Sequence, residues 1–250
     1  MVVRPANAAA RNLSIFSGLR PTIGVMARNT IARLRRFSKT ERAAHWLVAA
    51  AFAVMLFSGG QVPHRWTWTT PALDVHVGAA LVLVGGIAGL LVFGNRGALR
   101  TTARQLRRLD ASDRAWLAPG RILSGRPAPP VGRFNAGQKL NARLALAGLT
   151  GLYATGIYLL VFGRSAFGHL HGPFAFLTTA LIVAHIFMAV VNPSTRHALR
   201  GMTLGTVNRD WAEHHFPRWV AETDLEESRA DGSPAPAEPA RTPPSPTTVP

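Results

Sequence analysis

The chain has 250 residues, of which 48% are hydrophobic and 16% charged, with no cysteine and a formal net charge of +16. Without cysteine it can have no disulfides, no cysteine-ligated iron–sulfur cluster and no thioether-attached haem, so any metal chemistry must rest on His, Met or carboxylates. The basic balance suggests either nucleic acid or an anionic membrane surface, and the placement of the charges decides between them.

Residues 1–35 form a basic arm with no acid before Glu41. It is Arg-rich like a transit peptide but lacks the apolar core of a secretory signal. It reads as a disordered arm on anionic lipid. Residues 36–222 read as one membrane domain. Within it, four apolar blocks predict helices at about 43–60, 75–93, 142–162 and 170–191. Each has the ~18–22 residues needed to cross about 30 Å of hydrocarbon at 1.5 Å per residue. In lipid every backbone polar group must be satisfied internally, so the blocks are helices. Gly78, Gly85, Gly86, Gly148, Gly151 and Gly156 lie inside them. They permit close helix approach, or room for a flat cofactor. The fold class is therefore all-α, an integral membrane four-helix bundle.

The connection between the second and third blocks is long. It holds an Arg-rich stretch, Leu99 to Trp116, that reads as helical, followed by a Pro/Gly-rich run. Residues 223–250 are rich in Pro, Ala, Ser and Thr and read as a disordered tail.

Lys and Arg are unevenly shared. Nine precede Ala43, ten lie between Gly94 and Asn141, and six follow Val191, whereas the 61–74 and 163–169 loops carry only Arg65 and Arg164. The positive-inside rule predicts cytoplasmic termini and a cytoplasmic middle connection, in a bacterial cytoplasmic (inner) membrane. Topology thus accounts for the charge, and nucleic acid is not an expected partner.

Ionisable groups within a bilayer are functional candidates by default. Of nine histidines, His64 and His169 fall in outer loops, and His197, His214 and His215 fall in the cytoplasmic tail. The remaining four sort by depth. His45 and His185 lie near the inner face, and His76 lies near the outer face with either His169 or His171. The fourteen residues from His171 to His185 make nearly four helical turns, which leaves both on one face about 21 Å apart, whereas His169 falls roughly opposite. His171 is therefore the expected partner of His76. Two histidines per level suit the axial positions of haem iron, while zinc wants three or four ligands. The expectation is two b haems, the inner on His45 and His185 and the outer on His76 and His171. Arg36, Lys39 and Arg42 sit where inner propionates would emerge, and Arg36 and Arg42 could pair with them bidentately. Lys139 reads as an interfacial lysine.

The segments RFSKTERAAHW, GRFNAGQKLNA, AHIFMAV and GMTLGTVNRDWAEHHFPRW, spread over about residues 36–220, resemble the cytochrome b (gamma) subunit of respiratory formate dehydrogenase. The resemblance implies haem ligands at the same four histidines. It also implies electron entry from an outer iron–sulfur (beta) subunit, itself served by a molybdopterin-containing catalytic (alpha) subunit. Electrons would then pass through the outer and inner haems to menaquinone or ubiquinone near the cytoplasmic face. In the family the asparagine and glycine of NAGQK bind quinone, which carries over to Asn135 and Gly137. Without the resemblance, Asn135 reads as a helix cap. The chain departs from the family at Phe134, where a tyrosine is common. Formate oxidation itself would lie on the partners. Related subunits serve hydrogenases, and a haem-free transporter or scaffold is the reading from another class.

Overall fold

A computed structural model describes residues 32–61, 71–119, 129–163 and 167–232. His64, Arg65, Arg164, most of the basic arm, most of the Pro/Gly-rich run and the end of the tail lie outside the described residues. Four helices among the described residues are long and apolar enough to cross a membrane: α1 (Lys39–Gln61), α2 (Pro71–Phe93), α5 (Ala136–Phe162) and the span Gly168–Val191, whose regular part is α6 (His171–Ile186). The all-α membrane architecture expected from the apolar blocks is the one observed.

Three of these helices begin earlier than their apolar blocks, because polar caps lie outside the blocks. At α1, Ser38 N donates to Glu41 Oε2 at 2.6 Å, and Glu41 N donates to Ser38 Oγ at 3.3 Å. Pro71 opens α2 at a position where a missing N–H costs nothing. At α5, Gln138 N donates to Asn135 Oδ1 at 2.8 Å, and Asn135 N donates to Gln138 Oε1 at 3.1 Å. The first and third are reciprocal capping boxes.

The helices form two hairpins, α1 on α2 and α5 on α6, with sparse backbone contact between the hairpins. Glycines set the approach within each hairpin. A Cβ at Gly86 of α2 would lie 2.5 Å from Leu47 Cδ2 of α1. A Cβ at Gly151 of α5 would lie 2.6 Å from Phe174 Cε1 of α6, and one at Gly148 would collide with the Thr178 hydroxyl. Gly78 and Gly85 face open space, so close packing is not their role. Thr178 is buried at 2% exposure and has little room to yield. Gly148→Leu is expected to destabilise the second hairpin by about 1–3 kcal/mol through overpacking. A thermal melt in detergent reads this, and an unchanged midpoint would refute the close contact.

The Arg-rich stretch of the middle connection is two helices rather than one: α3 (Arg96–Arg107) and α4 (Ala111–Leu117). The break lies where Asp110 caps α4, accepting from Asp113 N at 2.9 Å. After the membrane span come α7 (Leu199–Leu204), α8 (Arg209–His215) and α9 (Pro217–Ala230). Two boundaries differ from the composition-based reading. Arg33–Arg35, within the expected arm, forms strand β1, antiparallel to β2 (Thr206–Asn208), with Leu34 opposite Val207. Leu34 is buried there, which draws the end of the arm into the fold. Helix α9 runs to Ala230, into the expected tail, and an Arg209–Asp224 ion pair of 2.6 Å ties it to α8. Leu34, Val131, Val207, Ala212, Phe216, Trp219 and Val220 make an apolar cluster outside the membrane-spanning helices. Gly205 closes α7 in the left-handed region, at φ +84°, and its carbonyl accepts from Arg36 N at 2.8 Å. A side chain there would be strained and would press on Phe37 O and Arg42 Nη1, each 3.0 Å from its Cβ.

Candidate functional site

The two hairpins present histidines to one another at two levels. His45 of α1 faces His185 of α6, with ring centroids 6.2 Å apart and ring planes at 63°. His76 of α2 faces His171 of α6, again at 6.2 Å, with planes at 71°. His171, not His169, forms the ring pair with His76, as the helical spacing predicts. His169 lies in the 3-10 turn Gly168–Leu170 before α6 and borders the cavity around that pair. Among the described residues no cluster of three or more His, Cys, Asp or Glu gathers; these histidines meet in pairs.

The separation is chemically informative. Metal–imidazole bonds of about 2 Å, plus a ring radius of about 1 Å on each side, place two axial imidazoles roughly 6 Å apart, centroid to centroid. Rings in direct hydrogen-bonded contact would sit closer. Around the outer pair lies an apolar cavity of about 800 Å³, bordered by Phe52, Leu73, Leu149 and Gly156 among others. That size falls within the usual range for cofactor pockets. The donor set, the spacing and the cavity fit a porphyrin held between the hairpins.

Local structure fixes which ring nitrogen faces the gap. His76 Nδ1 lies 2.8 Å from the Met55 carbonyl, so it is the protonated nitrogen and Nε2 is left with its lone pair. His171 Nδ1 lies 3.0 Å from Thr155 Oγ1. His185 Nδ1 lies 3.4 Å from the Asn141 amide of α5. Turning that amide over lets its oxygen accept from Nδ1–H and frees Nε2 in the same way. Just past His185 the helix widens into a π turn, Phe187–Val191, a local form common at functional sites.

The remaining site candidates lie around the inner end. The Asn135 side-chain oxygen caps α5, and a Cβ at Gly137 would lie 3.3 Å from the Trp116 ring. Lys139 is not an exposed interfacial lysine: it is buried and paired with Asp113 at 2.5 Å. Arg42 Nη2 donates to the Thr203 carbonyl at 2.7 Å, and the neighbouring Trp46 Nε1 donates to Met202 O at 3.0 Å. Lys39 opens α1 and is exposed. Arg36 has a structural setting. It is only 3% exposed, donates to Arg133 O at 2.8 Å, and lies 4.1 Å over the Phe216 ring, with Trp211, Trp219 and Phe37 also within 6 Å. Burial, and then the neighbouring Arg133 charge, lowers its pKa to about 9. It therefore stays cationic at neutral pH, and the aromatic faces stabilise the charge.

Comparison with known proteins agrees with this geometry. The model of the prokaryotic cytochrome b561 family matches residues 36–205. The chain belongs to that family. It is an integral membrane cytochrome b of electron transfer, and family membership implies b-type haem. The chain is also similar to the cytochrome b556(Fdn) subunit of the nitrate-inducible formate dehydrogenase of Escherichia coli K12. The two are 24% identical over 212 residues, covering 76% of this chain and 92% of the relative. The corresponding subunits of Escherichia coli O157:H7 and Shigella flexneri match to the same extent. Among the described residues, the four histidines that meet across the two hairpins are those the sequence singled out. The Thr155 and Asn141 partners were not, because single hydroxyls and amides in apolar helices carry no distinctive pattern.

Proposed function

We propose that this cytochrome is the di-haem membrane subunit of a formate dehydrogenase, carrying electrons from an outer iron–sulfur subunit to quinone near the cytoplasmic face. One observation carries the reading: two histidine pairs with the same 6.2 Å separation, at two levels of one helix. Haem iron with both axial positions filled supplies a one-electron redox centre and no open site for substrate. The chain's own part is to hold it. His45 and His185 would hold the inner haem, and His76 and His171 the outer one. Apolar walls line the outer level, and Arg42, one turn before His45, would pair with an inner propionate.

Quinone binding rests on Asn135 and Gly137. The Asn141–His185 contact puts the start of α5 beside the inner pair, and Asn135 lies six residues earlier, about 9 Å along the axis. Its cap uses only the side-chain oxygen, which leaves the amide N–H to donate to a quinone carbonyl as charge develops there. The distribution of Lys and Arg supports cytoplasmic termini in a bacterial inner membrane. A formate dehydrogenase as the donor is supported by the name of the Escherichia coli relative, and the iron–sulfur and molybdopterin subunits are what the family resemblance implies.

The expected result for the purified protein is a reduced-minus-oxidised spectrum of b type with two haems per polypeptide by pyridine haemochrome. One haem or none defeats the di-haem reading. A molybdopterin-containing protein co-purifying with it supports the formate donor; a nickel enzyme in its place defeats that part alone.

A further inference from the structure

The outer histidines rest in two cradles of matching construction, one in each hairpin. In α1 the segment Met55-Leu56-Phe57-Ser58-Gly59 receives His76, and in α5 the segment Leu152-Tyr153-Ala154-Thr155-Gly156 receives His171. Each cradle offers the same three features at the same spacing. The first is a backbone carbonyl: Met55 O lies 2.8 Å from His76 Nδ1, and the Leu152 backbone accepts from His171. The second is a hydroxyl three residues later: Ser58 Oγ lies 3.3 Å from His76 Nδ1, and Thr155 Oγ1 lies 3.0 Å from His171 Nδ1. The third is the glycine that follows. A Cβ at Gly59 would lie 3.1 Å from His76 Cε1, and one at Gly156 would lie 3.3 Å from His171 Cε1. Any larger residue would press on the imidazole.

The hydroxyls can act only as acceptors toward the rings. Ser58 Oγ sits 2.7 Å from Val54 O, and Thr155 Oγ1 sits 2.7 Å from Gly151 O. Each hydroxyl has one proton, and the carbonyl four residues back takes it. The lone pairs then face the imidazole, so both outer rings must carry their proton on Nδ1 and present Nε2 to the gap. Two acceptors on one N–H also draw the ring toward imidazolate character and raise its basicity as a ligand. At the inner level the Asn141–His185 contact is longer, at 3.4 Å.

We propose that Ser58 and Thr155 are paired positioning residues of the outer haem site, which fix the tautomer of His76 and His171 and hold that haem at a lower potential than it would otherwise have. The proposal rests on reading this pair as haem ligands. A more electron-donating axial pair favours the ferric state. An outer centre lowered in this way favours electron flow inward, from the outer level to the inner one.

The test is a potentiometric titration of the purified cytochrome in detergent, with the outer component assigned as the one missing from His171→Ala. Thr155→Val keeps the side-chain shape and removes the hydroxyl. It is expected to raise the outer midpoint, by up to a tenfold change in the reduction equilibrium (about 59 mV for one electron), with the inner midpoint unmoved. Ser58→Ala should act in the same direction but less, because the Met55 carbonyl remains, and Thr155→Ser should stay near the wild type. An outer midpoint unmoved in both hydroxyl-free variants at full haem content overturns the proposal, as does an equal shift of both haems. If Thr155→Val loses the outer haem, Thr155→Ser decides: retention supports the hydroxyl role, and loss overturns it. A wild type lacking the outer component would instead overturn the ligand reading on which the proposal rests.

Discussion

Replacing His185 with alanine is expected to remove the inner haem, leave the outer one in place and stop electron delivery to quinone. Haem content should fall from two per chain to one, and quinone reduction driven from the outer side should drop at least 100-fold. His45 and His185 are the only facing histidine rings at the inner level among the described residues. Losing one would leave a single imidazole to hold a haem at that level. His45→Ala should give the same spectrum from the opposite helix. His76→Ala and His171→Ala should give the complementary loss at the outer level. His169→Ala and His215→Ala are the controls. His169 lies outside the ring pair, and His215 is held elsewhere, with Nδ1 2.9 Å from Trp211 O and its ring 4.7 Å from the Trp211 ring. Retention of both haems in His185→Ala would refute the ligand assignment, and loss of both in His169→Ala would point to general collapse of the bundle.

The helices were legible because a bilayer imposes a length and an apolarity that few other structures need. The histidine pairs were legible because helix periodicity turns a fourteen-residue spacing into one face. What escaped was made by partners distant in sequence. Arg36 reads as a propionate partner or as one more positive-inside cation, and nothing near it announces the Phe216, Trp211 and Trp219 rings that enclose it. Arg33–Arg35 reads as a solvated arm, since the Leu34–Val207 pairing joins residues far apart in the chain. Helix starts at Lys39 and Ala136 were written in the local pattern, as Ser38 with Glu41 and Asn135 with Gln138. An apolar window passes over them because capping is done by polar residues. The hydroxyl cradles escaped for a related reason. A serine or threonine in a membrane helix ordinarily bonds back to its own helix, as Ser58 and Thr155 also do, and its remaining lone pairs have no sequence signature.

Replacing Arg133 with alanine is expected to cost about 3–5 kcal/mol, because it strands a buried carboxylate. Arg133 Nη2 meets Glu41 Oε1 at 2.8 Å, with side-chain exposures of 12% and 6%. The same guanidinium donates to Thr102 Oγ1 at 2.9 Å and to the Arg36 carbonyl, and lies 4.7 Å over the Phe37 ring. It therefore joins the approach to α5, the start of α1 and helix α3 at one point. In Arg133→Ala, Glu41 keeps its bonds to Thr102 and the Ser38 N–H but loses its cationic partner. Arg133→Lys keeps the charge but cannot reproduce the planar fork, so an intermediate loss is expected. Thermal unfolding in detergent, followed by tryptophan fluorescence, measures both. The double variant Arg133→Ala with Glu41→Ala separates the causes. If the cost comes from an unpaired buried charge, removing the carboxylate as well should recover part of the stability lost in Arg133→Ala. If the double variant costs the full sum of the two single changes, the two residues act independently and the ion pair is not the joint between these helices. The consequence reaches the site, because Arg133 stands two residues before Asn135. A loosened joint there should weaken quinone reduction while leaving both haems in place, a pattern that loss of a haem ligand cannot produce.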